Sequence, residues 1–118
     1  MSIMRSLAYK LGHIHNLHLA AQNGDVESMY NLGCFYREGR YVVIDMKTAC
    51  FWWTHAAEKG HVSAQYNLGC LYSGEVSAYY HDKSLSDYWF GIVANERKRN
   101  PRGRNKKTGT NKKNRILS

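Results

Sequence analysis

Residues 20–36 read AAQNGDVESMYNLGCFY and residues 56–72 read AAEKGHVSAQYNLGCLY, one pattern written twice at an offset of 36. Ala-Ala, Gly, Tyr-Asn-Leu-Gly-Cys and the closing Tyr all stay in step. A fixed period of roughly 20 to 50 residues marks an array of supersecondary units stacked on one another. The offset of 36 also carries Lys47 to Lys83 and Trp53 to Trp89, so the echo extends well beyond one copied pentapeptide. Two full units and part of a third fit the chain.

Inside each unit the apolar spacing is helical. Asp25 can cap a helix running to about Arg37, with Ser28, Leu32, Phe35 and Tyr36 as its inward stripe at i, i+4, i+7 and i+8. Its copy begins near His61 and is expected to bury Ala64, Leu68, Leu71 and Tyr72, while Gly39 and Gly60 punctuate the ends of successive helices. Asp45 reads as the N-cap of a second kind of helix carrying Ala49, Trp52, Trp53, Ala56 and Ala57. Asp82 starts the copy of that helix, with Leu85, Tyr88, Trp89, Ile92 and Val93 facing inward. With one helix before Gln22, five helices are predicted. Gly33 and Gly69 fall inside helices, where each costs about 1 kcal/mol against Ala. A close helix approach would offset this, with Gly33 receiving a ring such as Trp53 from the paired helix. Ala56 and Ala57 would then let the next unit stack. One such hairpin cannot bury its apolar face alone, so stability is expected to come from interfaces between neighbouring units.

These residues resemble the SEL-one-like repeat, a relative of the tetratricopeptide repeat. The match runs through Leu32, Gly33, Tyr36, Gly39, Val42, Asp45, Ala49, Trp52, Ala56, Ala57 and Gly60. Ser28 stands for the pattern's first Ala, Tyr41 for its second Gly and Trp53 for its Tyr. The second unit keeps Ala64, Leu68, Gly69 and Tyr72 and then drifts: Gly74 and Asp82 are each one place out of step, and Ile92 and Val93 replace the Ala pair. Upstream, Leu17, Ala20, Ala21 and Gly24 look like the last half of a preceding unit. The expected organisation is therefore a half repeat at about 5–24, a first repeat at about 25–60 and a second at about 61–95, forming one domain over 1–95. The resemblance implies an all-α fold, a right-handed α-solenoid of helical hairpins, used as a non-catalytic scaffold or adaptor for a protein or peptide partner.

By analogy with tetratricopeptide arrays, the first helix of each hairpin lines the concave side. That places Glu27, Asn31, Cys34 and Glu38, with Asn67 and Cys70, along the candidate groove. A carboxamide both donates and accepts hydrogen bonds, so Asn31 and Asn67 suit the backbone of an extended peptide. The alternative is that both amides bond to adjacent helix backbone, since inter-helix amides normally find a protein partner. Most aromatic residues, among them Trp52, Trp53, Trp89, Tyr30 and Tyr66, are expected in the core. Tyr41, Tyr79 and Tyr80 fall between helices and are the aromatic candidates for partner contact.

Charge divides the chain. Residues 1–95 hold seven Lys and Arg against eight Asp and Glu, a balance of −1, whereas residues 96–118 hold ten against one, a balance of +9. With so little apolar content, the stretch 96–118 is expected to be a disordered tail when alone. Arg97, Lys98, Arg99, Arg102, Arg104, Lys106, Lys107, Lys112, Lys113 and Arg115 could neutralise phosphates in a salt-dependent way. No aromatic residue is interleaved to stack on bases. A nuclear-localisation-like signal or a solvated extension are the alternatives.

Other classes find little support in the sequence. Cys34, Cys50 and Cys70 lack C-x-x-C spacing, which argues for reduced, packed thiols over a disulfide framework or structural zinc. Some secreted relatives in the family are cysteine-rich and bind penicillin-like compounds; the paired cysteines they carry are missing here. His13, His15 and His18 form H-x-H-x-x-H, but only His15 and His18 share a helix face and no Cys or carboxylate completes a zinc set, so a solvated face is expected, with no metal and no cofactor. No nucleophile, P-loop or metalloprotease motif occurs, so no enzyme is expected. No stretch reaches the roughly 20 apolar residues that cross a bilayer, and no export signal is evident, which together predict a cytoplasmic protein. Arrays usually need about three repeats. Tyr88, Phe90 and Ile92 are therefore expected to leave apolar surface open to self-association or docking, and a fragment of a longer repeat protein would read the same way.

Overall fold

A computed structural model describes residues 2–100. Five α-helices follow one another: α1 Ser2–Gln22, α2 Val26–Glu38, α3 Met46–Glu58, α4 Val62–Tyr72 and α5 Lys83–Arg99. A short 3-10 turn covers Ala78–Tyr80, and there is no strand among the described residues. The all-helical expectation and the number of helices hold.

The repeated Ala-Ala-x-x-Gly motif is a helix exit joined directly to a helix entry. At the end of α1 the N–H of Gly24 donates to Ala21 C=O at 3.0 Å and the N–H of Asp25 donates to Ala20 C=O at 3.0 Å. At the end of α3, Gly60 and His61 repeat both bonds to Ala57 and Ala56, again at 3.0 Å. This geometry needs a left-handed residue, supplied by Gly24 at φ +98 and Gly60 at φ +96. The next residue then caps the following helix: an Asp25 carboxylate oxygen accepts the N–H of Ser28 at 2.9 Å, and His61 Nδ1 accepts that of Ala64 at 3.2 Å. Asp45 and Asp82 cap α3 and α5 through Thr48 and Leu85. The three Asp caps expected from the sequence are thus in place, and His61 is a fourth that the sequence did not announce.

The main helix contacts join chain neighbours: α1 with α2, α2 with α3, α3 with α4 and α4 with α5. The core links them through Ala21, Met29, Leu32, Trp53, Ala56, Ala57, Ala64, Leu68 and Trp89. Leu32 and Leu68, equivalent in the two units, are both fully buried. Two buried polar bonds stitch the seams: Gln65 Nε2 donates to Ala57 C=O at 3.1 Å, and Ser86 Oγ donates to Gly69 C=O at 3.0 Å.

The interior glycines mark the closest approaches. A Cβ on Gly33 would lie 2.3 Å from the Trp53 ring, as the sequence led us to expect. On Gly69 it would lie 2.6 Å from the ring of Phe90, not of Trp89. The offset of 36 therefore fails in the second helix of the unit, where the structural step is 37. The cause is local. The Asp45 N–H bonds the carbonyl of Tyr36 at 2.9 Å, and the Asp82 N–H bonds the carbonyl of Tyr72 at 2.9 Å. The connection from Tyr to capping Asp is one residue longer in the second unit, so every later residue arrives one place late. Phe90 takes the place of Trp53, Trp89 that of Trp52, and Lys83, expected to copy Lys47, copies Met46 instead and pairs with Asp87 at 2.7 Å.

The same slip corrects the inward face of α5. Ser86, Trp89 and Val93 are buried there, whereas Leu85 and Tyr88 are exposed, Tyr88 at 57%. Phe90 and Ile92, expected on an open apolar end, instead pack inward against Gly69 and the core. Helix α5 continues to Arg99, so Glu96, Arg97, Lys98 and Arg99 are helical and do not belong to a disordered tail. Arg102, Arg104, Lys106, Lys107, Lys112, Lys113 and Arg115 lie outside the described residues.

Two glycine substitutions should have opposite signs. Gly33→Ala drives a methyl into the Trp53 ring and should lower stability by about 1–3 kcal/mol. Gly91→Ala adds a methyl where nothing lies within 4 Å, inside a helix, and should raise stability by up to about 1 kcal/mol. Urea midpoints at unchanged slope measure both.

Candidate partner-binding surface

The residues proposed for the groove are not all brought together. Glu27 is exposed and its carboxylate accepts from His61 Nε2 at 3.1 Å, bridging the first turns of α2 and α4. Asn31 and Cys34 on α2, and Asn67 and Cys70 on α4, are all half-buried. Glu38 stands apart at the C-terminal end of α2, held by Arg40 and, at 3.8 Å, by Arg37. Its charge is already answered by local cations, so it is the weakest member of the expected set.

Two residues that sequence reasoning left out of the candidate set lie beside its members. Tyr30 stacks on the His61 ring with centroids 4.4 Å apart and planes 19° from parallel. His61 stands where Asp25 stands one unit earlier. A cap must accept a backbone N–H, so the imidazole places its lone pair on Nδ1 and its proton on Nε2, toward Glu27. Burial pushes the Tyr30 phenol above its ordinary value, the Cys34 thiol adds to the shift, and Asn67 acts on it in the opposite sense. The pairing recurs one unit on, where the Cys70 thiol is the largest influence raising the Tyr66 phenol. A tyrosine four residues before each repeated cysteine was the signal for this pairing.

Not every aromatic residue joins the core. Trp53 and Trp89 are buried and Trp52 and Tyr30 half-buried, but Tyr66 is 48% exposed and lies against Phe90 at 5.8 Å. Phe90 occupies the Gly69 seat, which leaves Tyr66 on the rim. Among the inter-helix tyrosines, Tyr41 has φ +65, the only non-glycine described residue with positive φ, and carries the Lys10 ammonium 5.3 Å above its ring. Tyr79 is 85% exposed, and Tyr80 is half-buried against it at 4.9 Å. The histidine cluster divides as well. His13 and His15 are exposed, but His18 is half-buried and bonds the Tyr36 hydroxyl at 3.0 Å, which corrects a wholly solvated face. Among the described residues no group of three or more His, Cys, Asp or Glu side chains is placed to hold a metal ion, and no helix is long and apolar enough to cross a membrane.

A second concave feature went unread in the sequence. An open cleft of about 460 Å³ runs along α3, lined by Lys47, Cys50, Phe51, Thr54, His55 and Glu58, with Tyr72 and Tyr80 as its far wall. The α3 residues recur at i, i+3, i+4, i+7, i+8 and i+11, which is one helix face. Cys50 Sγ lies 3.3 Å from the Tyr72 hydroxyl, and burial, followed by that hydrogen bond, pushes the Tyr72 phenol well above its ordinary value. Comparison of the chain with protein-family models, with curated proteins and with solved structures finds no match.

The carboxylate caps give the surface an acid limit. Hydrogen bonds from the Ser28 hydroxyl and then its N–H hold Asp25 below the ordinary carboxylate value, and Thr48 does the same for Asp45. Because the folded values are depressed, this stabilisation is complete above the unfolded value and is lost as pH falls through the folded one. Melting temperature should thus hold steady down to about pH 4.5 and fall below about pH 4. Asn caps as well as Asp but does not titrate. Asp25→Asn with Asp45→Asn should flatten that fall, read by thermal melts across pH.

Proposed function

We propose that residues 2–100 form a right-handed α-solenoid of SEL-one-like repeats and act as a non-catalytic scaffold that binds a protein or peptide partner along α2 and α4. The observation that carries this reading is the recurrence of one two-helix unit with the same Gly-based exit, a side-chain N-cap in the same place and an aromatic ring seated on an interior glycine. Units of this kind pack in chain order and leave equivalent faces side by side. Tyr41 adds support: it adopts φ +65 at the position where the family pattern places a glycine. Half-buried Asn31 and Asn67, one unit apart, offer paired donors and acceptors to an extended backbone, with Tyr30, His61 and Glu27 beside them.

The charge asymmetry favours a second role for the C-terminal stretch, an electrostatic tether to nucleic acid or another polyanion. Seven Lys and Arg lie in residues 101–118, and Arg97, Lys98 and Arg99 extend the basic run back into the last turn of α5. Such a tether would add affinity with little base selectivity.

Replacing Asn31 and Asn67 together with Ala should cut partner recovery in a pull-down about tenfold or more, from the loss of two hydrogen bonds. Unchanged recovery removes both from the site. For the tether, the full chain should bind mixed-sequence DNA with an affinity that falls with salt by about 0.9 log units per log unit of salt for each phosphate neutralised. A chain ending at Asn100 should lose most of that slope, and equal slopes would dismiss the tether.

A further inference from the structure

The cleft along α3 has the features of a second binding site, away from the asparagine pair. Lys47 stands at its one end and Glu58 at the other, and neither enters an ion pair among the described residues. At a rise of about 1.5 Å per residue, these two charges lie on the order of 16 Å apart along the helix. Between them Phe51 offers a ring that is 53% exposed, and the Cys50 thiol lies 3.3 Å from the Tyr72 hydroxyl of the far wall. The volume of about 460 Å³ lies within the range of ligand sites, which begins near 300 Å³.

We propose that the α3 cleft binds an extended peptide segment presenting an acidic side chain to Lys47, an apolar side chain to Phe51 and a basic side chain to Glu58, at alternate positions. Alternate side chains of an extended chain point the same way, and residues four apart are separated by about 13 Å, a span that the flexible Lys47 and Glu58 side chains can complete. Charge complementarity selects this occupant. A uniformly acidic segment would meet Glu58, and a uniformly basic one would meet Lys47. The inference rests on reading the chain as a protein-interaction module but assigns a different face of it, so the two can fail separately.

The test is a titration of the full chain, followed by NMR chemical shifts, with two capped pentapeptides, Asp-Gly-Leu-Gly-Lys and its reverse. One order should give saturable shifts at Phe51, Thr54 and His55, with a dissociation constant on the order of 0.1 to 1 mM for so small a contact. Lys47→Glu and Glu58→Lys should each weaken it about two- to fivefold, as one exposed charge pair allows. Lys47→Glu should instead gain affinity for Lys-Gly-Leu-Gly-Lys. Both side chains are exposed, so melting temperatures should not move. Asn31→Ala with Asn67→Ala should leave this binding unchanged. Absence of saturable shifts, indifference to both charge reversals, or shifts confined to α2 and α4 would each overturn the proposal.

Discussion

The fold depends on a ring being laid where a helix has no side chain. Gly33 and Gly69 each weaken their own helix, yet each lets an aromatic ring from the next helix lie against bare backbone, Trp53 on the first and Phe90 on the second. Burial of a large aromatic side chain contributes about 1.5–3 kcal/mol, which exceeds the helix-propensity loss of about 1 kcal/mol. Leu32 and Leu68, each one residue before such a glycine, are fully buried, and α3 packs on α4. The short, polar seam from Gln65 to the carbonyl of Ala57 joins those two helices.

Much of this was legible in the sequence because its causes are local. A side-chain acceptor just before a helix, taking the N–H three residues on, and a glycine after a pair of alanines act within one turn of chain, so caps and exits could be read residue by residue. The step of the second unit was legible at Asp82, one place out of register with Asp45, but that sign was not carried on into α5. Trp53 and Trp89 stand 36 apart, and identity of residue type suggested identity of place. What sets the place is the bond from the capping Asp to the carbonyl of Tyr36 or Tyr72, and one extra residue before Asp82 moves the whole of α5 by one position. That single residue explains why Leu85 and Tyr88 face solvent and Ser86 does not.

The candidate surface was legible only in part. The repeated Asn and Cys positions drew attention to α2 and α4, but the contact that organises them, the Tyr30 ring stacked on His61, crosses between units and has no sequence spacing to announce it. His61 also shows how an array can vary a conserved task within itself: the cap survives the change from Asp25, while the second ring nitrogen gains a link to Glu27 that a carboxylate could not make. The α3 cleft escaped notice because its far wall, Tyr72 and Tyr80, belongs to a different helix and a 3-10 turn.

The ring seats can be observed directly from the chemical shifts of the glycine α-protons, which lie in the shielding zone of any ring stacked on them. The account predicts upfield-shifted α-protons at both Gly33 and Gly69, with the Gly33 shift relieved by Trp53→Leu and the Gly69 shift relieved by Phe90→Leu. If the Gly69 protons respond to Trp89→Leu and ignore Phe90→Leu, the one-residue step between the units is wrong, and with it the equivalence on which the architecture rests.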